Sequence, residues 1–224
     1  MYTVNAMPPR LDESLVELLE NAETATIGHV LYTGFVDRGI TPLLPGRRVA
    51  GTAVTLRLPH ADSTLLHYAV KLVRPGDVVV IDRCGDTKYA CWGGGMTLAM
   101  KLAGIKFAVI DGPATDLQEI RDFDLPVWSR GLSSITTRLL GIEGAMNVPI
   151  SVGGQVVNPG DAVLADDQGV FIASPAVARE AAERAIMMQA NEALMHARLR
   201  AGESLPDITG ATAIVEAKLV KGTE

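Results

Sequence analysis

Aromatic residues make up only 4% of the chain, so a core has to be filled by Ala, Val, Leu, Ile and Met, which with the few aromatics and cysteines bring the apolar fraction to 48%. Cysteine is also scarce. Cys84 and Cys91, with six residues between them, are too few for a disulfide framework and wrongly spaced for a zinc ribbon, and they are read as reduced thiols in a reducing compartment. Basic charge is short: 20 Lys and Arg against 26 Asp and Glu leave a net charge of −6, and no basic run exceeds Arg47-Arg48. That excludes a phosphate-backbone binder, which needs a basic stripe. No apolar run approaches the ~18 residues of a membrane span, and no charged start with an apolar stretch opens the chain. The expectation is a cytoplasmic protein with neither nucleic acid nor membrane as partner.

What is plentiful is glycine and proline, 22 and 12 residues, as short strands alternating with helices require. At 224 residues, one domain over 1–224 is expected, opened by a helix and closed by a long one. Leucines 11, 15, 18 and 19 form a helical stripe with Asp12 and Glu13 in its first turn, and a second short helix begins near Thr26. Val49–Leu58 alternates as a strand, 64–73 carries helical spacing, and Val78–Asp82 is a β-branched run typical of a buried strand. Gly93-Gly94-Gly95 precedes a helix, Met96–Ala103, which Gly104 stops. Phe107–Asp111 is the next buried strand, followed by a short helix from Asp116 to about Asp122 and a strand at Pro126–Ser129. This repetition is the βαβ signature of an α/β fold with parallel strands. From Pro149 to Ser174 three turn signals separate short apolar runs, a pattern predicting one compact antiparallel unit. Ser174-Pro175 then opens the long helix, about 175–201.

The chemistry concentrates at two places. Glycines between a strand and a helix let backbone N–H groups meet an anion at the helix start; equally, such a loop serves to turn the chain. It is neither a P-loop nor a dinucleotide fingerprint, which removes support for a nucleotide or methyl-donor site. Asp116 lies past the carboxyl end of the following strand, where open α/β sheets place their sites. Its bland role is a helix N-cap. Glu119, one turn on, is either the far half of a capping box or a second carboxylate beside a hard divalent cation. Histidines 29, 60, 67 and 196 have no ligand spacing; His60 and Asp62 either border the site or shape a loop. Asp82–Asp86 either feeds a carboxylate towards a metal or forms a turn. Met187 and Met188 are assigned to core or interface.

The run WGGGMTLAMKLAGIKFAVIDGPATDLQEI resembles the core of the 4-hydroxy-4-methyl-2-oxoglutarate aldolase family, also called RraA-like. That family's pattern is Gly or Asp, twenty residues, Arg-Asp, two residues, then often Glu or Asp; here it falls on Gly94, Thr115, Asp116 and Glu119. RVAGTAVTL, RPGDVVVID, LPVWSRG and VNPGDAVLADDQGVFIASP extend the likeness over roughly residues 11–205. The resemblance implies a three-layer swivelling β/β/α fold, assembled as a trimer or a dimer of trimers. It also implies a lyase that cleaves a 4-hydroxy-2-oxo acid or decarboxylates oxaloacetate. Asp116 would ligate Mg²⁺ or Mn²⁺, backbone amides of Gly93, Gly94, Gly95 and Met96 would hold the carboxylate of a small 2-keto acid, and Glu119 would supply the acid that a Gly at 94 lacks. An acid from a neighbouring subunit's C-terminal region, with Glu180, Glu183 and Glu192 as candidates, would complete the site. Thr115 stands where the family has Arg, a loss of roughly 1.5–3 kcal/mol or more of charge-assisted binding, or about tenfold to over a hundredfold in rate. Arg83, Lys88, Arg121 and Arg130 are candidate replacements. The rival implication is a non-catalytic regulator that docks on another protein such as a ribonuclease.

Overall fold

A computed structural model describes residues 1–219. The strands are β1 (Tyr2–Val4), β2 (Thr41–Pro42), β3 (Val49–Arg57), β4 (Asp77–Asp82), β5 (Phe107–Asp111), β6 (Val127–Ser129), β7 (Gly144–Met146), β8 (Ile150–Val152), β9 (Gln155–Val157), β10 (Ala162–Asp166) and β11 (Gly169–Ala173). The helices are α1 (Glu13–Asn21), α2 (Thr24–Ile27), α3 (Thr64–Ala69), α4 (Gly94–Leu102), α5 (Leu117–Phe123), α6 (Pro175–Arg200), α7 (Leu205–Thr209) and α8 (Ala211–Glu216).

The centre is the parallel run β3-β4-β5-β6, with each strand reached through a helix: α3, α4 and α5 in turn. β3 is long enough to be shared. On its far edge, Val49–Thr52 pairs antiparallel with β10, and Leu56–Arg57 pairs antiparallel with β7, which itself carries β1. This double partnering buries β3 from Ala50 to Leu56.

The period-two alternation of strands sorts the core into two faces. Val54, Leu56, Val79, Ile81, Ala108 and Ile110 meet the helices α3, α4 and α5. Ala53, Val78, Val80, Phe107 and Val109 face the β8–β9 hairpin and Trp128, whose ring packs edge-on against Phe107 at 5.4 Å between centroids. A third cluster joins Leu15, Leu19 and Ile27 to Phe171 and to the alanine stripe Ala178, Ala181, Ala182 and Ala185 of α6.

Most of the expected elements stand, with α4 beginning at Gly94 itself and Gly104 taking the left-handed conformation that ends it (φ +87°). Asp12 turns out to be the N-cap of α1, its carboxylate accepting from Leu15 N at 3.3 Å. The expected single antiparallel unit after Pro149 is two hairpins: β8–β9 forms its own sheet, whereas β10–β11 joins the main sheet through β3. The turns were legible, but which edge each hairpin finds depends on partners distant in the chain. Met187 and Met188 lie beyond the alanine stripe and are exposed, so they are not core. Among the described residues no helix is long and apolar enough to cross a membrane.

Candidate functional site

The loops following β3, β4 and β5 lie side by side on the carboxyl rim of the sheet. Each contains a non-glycine residue with positive φ, respectively His60 (58°), Cys84 (53°) and Asp116 (54°). Asp tolerates this conformation better than most residues, at a cost of order 1–2 kcal/mol. The segment 131–142 straps the three loops together. Ala114 N donates to Gly131 O (2.9 Å), Ala90 N to Ile135 O (2.8 Å) and Ser63 N to Arg138 O (2.9 Å).

Buried Asp62 anchors the strap's end. Its carboxylate accepts from Leu140 N (3.1 Å), Ile142 N (2.7 Å), Thr64 N (2.9 Å) and the Tyr2 hydroxyl (3.0 Å). Burial pushes its pKa up, but these donors, Thr64 foremost, outweigh that and hold it far below the usual carboxylate range. Asp62 is therefore a loop-shaping residue, and His60 is exposed, its ring 3.9 Å from the Glu143 carboxylate.

The glycine loop and Asp116 do converge. Gly93 is the N-cap of α4, and Gly94 N donates to Asp116 Oδ2 at 3.1 Å. Asp116 occupies the N-cap position of α5, yet its side chain makes no capping bond there. It turns across to the neighbouring helix start instead, which replaces the N-cap reading. Thr115 is held by a bond from its N to Trp92 O (2.8 Å), and its hydroxyl donates to Asp116 Oδ1 (3.3 Å). Glu119 lies over Gly94: a Cβ on Gly94 would fall 2.5 Å from Glu119 Cδ, so the carboxylate occupies the space a side chain at 94 would fill. A Cβ on Gly93 would similarly meet Thr115 Cγ2 at 2.9 Å, besides Asp116. Gly95 has open space around it and is exposed, whereas Met96 is buried in the core behind the loop.

Two exposed carboxylates thus stand over the bare amide end of a nine-residue helix. The amides favour an anion, and the carboxylates favour a cation. Among the described residues no group of three or more His, Cys, Asp or Glu side chains could hold a metal. The two oxygen-donor acids nevertheless suit a hard cation that completes its shell from substrate and water.

The other acids expected near this place are otherwise employed. Asp82 accepts from Cys84 N (2.6 Å) and Ser151 N (3.4 Å), and Asp86 accepts from Lys88 N (2.7 Å), Tyr89 N (3.1 Å) and Arg83 (3.0 Å). These are turn and hairpin roles. Of the four candidate cations, two are committed elsewhere. Arg83 is fully buried and donates to Leu58 O (2.7 Å) and His60 O (2.6 Å), with Gly112 making room for its stem. Arg130 pairs with Asp111 and with Asp37 (2.9 Å), and the Asp111 bond raises its pKa further. Lys88 and Arg121 are exposed. Burial pushes the Cys91 thiol to about 11, so it is protonated at neutral pH. Glu180, Glu183 and Glu192 are exposed along α6.

Two residues that pattern reading passed over, Trp92 and Thr97, lie directly beneath the loop, both fully buried. The available signal was a Thr in the first turn of a helix opened by three glycines, preceded by one of only two tryptophans.

The profile of the RraA-like family (Aldolase/RraA) matches residues 24–172. A protein of Halalkalibacterium halodurans, provisionally named a 4-hydroxy-4-methyl-2-oxoglutarate aldolase, is 33% identical over 153 residues, covering 68% of this chain and 72% of its own. Among solved structures, an uncharacterised protein of Pseudomonas syringae pv. tomato superposes with a TM-score of 0.78 at 25% identity, covering 91% of this chain and 96% of that one. Streptomyces coelicolor RraAS2, described as an unusual member of the RNase ES inhibitor RraA family, gives 0.75 at 28% identity, covering 84% of this chain and all of that one. The glycine loop, Asp116 and Glu119 all lie inside the matched span, and by sequence and by fold this chain belongs to the Aldolase/RraA family.

Proposed function

We propose that this protein is a divalent-metal-dependent carbon–carbon lyase for small 2-keto acids. Its reactions would be retro-aldol cleavage of a 4-hydroxy-2-oxo acid, decarboxylation of oxaloacetate, or both. The observation that carries the reading is the meeting of Asp116 and Glu119 over the amide end of α4. The name of the Halalkalibacterium halodurans relative supports the same reaction class.

Asp116 would hold Mg²⁺ or Mn²⁺, with Glu119 orienting the waters of its shell, and the ion when bound would supply Lewis-acid stabilisation of the charge developing on the keto oxygen. The N–H groups at the start of α4 bind and orient the substrate carboxylate. Gly94 N is already spent on Asp116, so Gly95 and Met96 offer the remaining donors of that turn. Glu119 is exposed and a second acid beside the reacting group, placed to move a proton to the product carbon through water. Thr115 contributes a hydroxyl and no charge.

The protein is further proposed to be cytoplasmic and to work as a homo-oligomer, a trimer or a dimer of trimers. Exposed Leu132, Ile135, Leu139 and Leu140 on the rim strap support a surface covered by another copy. A non-catalytic regulator that docks on a ribonuclease is the second reading. It is favoured by the likeness to the Streptomyces coelicolor protein and by the uncharged Thr115.

Oxaloacetate decarboxylation with and without Mg²⁺ or Mn²⁺, corrected for the metal's own rate, decides between them. Metal-dependent turnover that Asp116→Asn removes supports the lyase. Absence of turnover on oxaloacetate and on several 4-hydroxy-2-oxo acids, together with a stable complex with a ribonuclease, would establish the regulator.

A further inference from the structure

The glycine loop is braced from inside by a directed chain of hydrogen bonds. The Trp92 indole Nε1 donates to Thr97 Oγ1 at 2.9 Å, and the Thr97 hydroxyl donates to the Gly93 carbonyl at 2.8 Å. The same carbonyl accepts from Thr97 N at 2.9 Å. The direction is forced. An indole N–H can only donate, so the hydroxyl that receives it must spend its single proton on Gly93.

The Gly93 carbonyl and the Gly94 N–H belong to one planar trans peptide and point in opposite directions. Fixing the carbonyl towards Thr97 therefore fixes the Gly94 N–H outwards, where it meets Asp116 Oδ2 at 3.1 Å. Trp92 acts at both ends, because its own carbonyl accepts from Thr115 N at 2.8 Å. One buried tryptophan thus sets the peptide that holds Asp116 through its ring, and the residue preceding Asp116 through its backbone. Three consecutive glycines have no Cβ to restrict their torsions, so the loop needs an external brace if its amides are to be preorganised. A threonine bonding back to the fourth carbonyl before it is common in helices. What separates this case is that the carbonyl forms the inner half of the peptide whose outer half holds Asp116.

We propose that Thr97, backed by Trp92, is a positioning residue that aims the Gly94 N–H and the Asp116 carboxylate for ligand binding. That the ligand is a keto acid rests on the lyase reading; the brace itself does not.

The test compares Thr97→Val, which keeps shape and removes the hydroxyl, with Thr97→Ser, which keeps the hydroxyl. Two measurements on ligand-free protein are made by NMR: the Trp92 indole N–H resonance and the exchange rate of the Gly94 amide. A third is the Kd for pyruvate with saturating Mg²⁺. In Thr97→Val the indole resonance moves, Gly94 exchange quickens about tenfold or more while amides of β4 and β5 keep their protection, and pyruvate binding weakens by about tenfold. Thr97→Ser stays within about twofold of the parent on all three. Should Thr97→Val fail to fold, Trp92→Phe cuts the same chain one bond earlier and is judged by the same Gly94 exchange. Equal Gly94 exchange in the cut variant and Thr97→Ser overturns the proposal. If the parent binds no pyruvate and turns over no keto acid, the lyase reading falls, and Gly94 exchange still decides the brace.

Discussion

Two pairs of carboxylates stand on the same rim of the sheet and have opposite fates. Asp82 and Asp111 are the last residues of β4 and β5, and strand alternation turns them to the hairpin face. There Ser151 N and Gly153 N, the latter at 2.7 Å, reach them from β8 and its turn, while Arg130 closes on Asp111. Asp116 and Glu119 come from the next loop and helix on the opposite, helical side. They face a helix start rather than a hairpin, and both are exposed. An acid engaged by hairpin amides or an arginine serves as a structural clasp; an acid with oxygens left open beside free amides keeps them available for a ligand, which is the role proposed for Asp116 and Glu119.

The most direct way to break this contrast is to neutralise one member of each pair. Asp116→Asn, which preserves the left-handed backbone, is expected to cut oxaloacetate turnover at least about a hundredfold, with the thermal midpoint within a degree or two of the parent's. Asp111→Asn is expected to do the reverse. Stability in urea falls by about 2–3 kcal/mol as the Arg130 and Gly153 bonds are lost, while the folded fraction keeps its turnover. Equal behaviour of the two variants would dissolve the distinction.

Asp62 sharpens it through pH. Its folded pKa lies below the ordinary carboxylate value, so its contribution is complete above about pH 4 and disappears as acid protonates the folded form. Asp62→Asn is expected to lose about 2 kcal/mol at pH 7 and to show a shallower decline than the parent below about pH 4, read from denaturation midpoints across pH 2–7.

Smaller effects test the site's own geometry. Gly94→Asp places a side chain where Glu119 lies and is expected to reduce turnover about tenfold. Adding Glu119→Ala clears that space, and the double variant is expected to recover most of the loss because the carboxylate now arises from position 94. Thr115→Arg restores the charge of the family pattern and is expected to raise kcat/KM about fivefold. A fall there, with unchanged stability, would mean that the pocket is built for a different substrate.

The local patterns carried much of this. A β-branched run announced β4 and an apolar run β5, Gly104 ended α4 where a left-handed residue was needed, and the glycine triplet followed by an acid past the next strand marked the candidate site. Those are short-range matters of torsion, periodicity and chain order, which the sequence by itself determines. Only the tertiary structure decided which bonds the marked residues make. Asp116 leaves its own helix to reach Gly94, twenty-two positions away, and Arg83 is buried as a strut between two loops instead of serving as a spare cation. The hairpins after Pro149 part to different sheets, and Trp92 braces the glycine loop. Each of these outcomes depends on a donor or an edge supplied by a distant segment, and an unpaired buried group is costly enough that the fold, rather than the residue, chooses the partner.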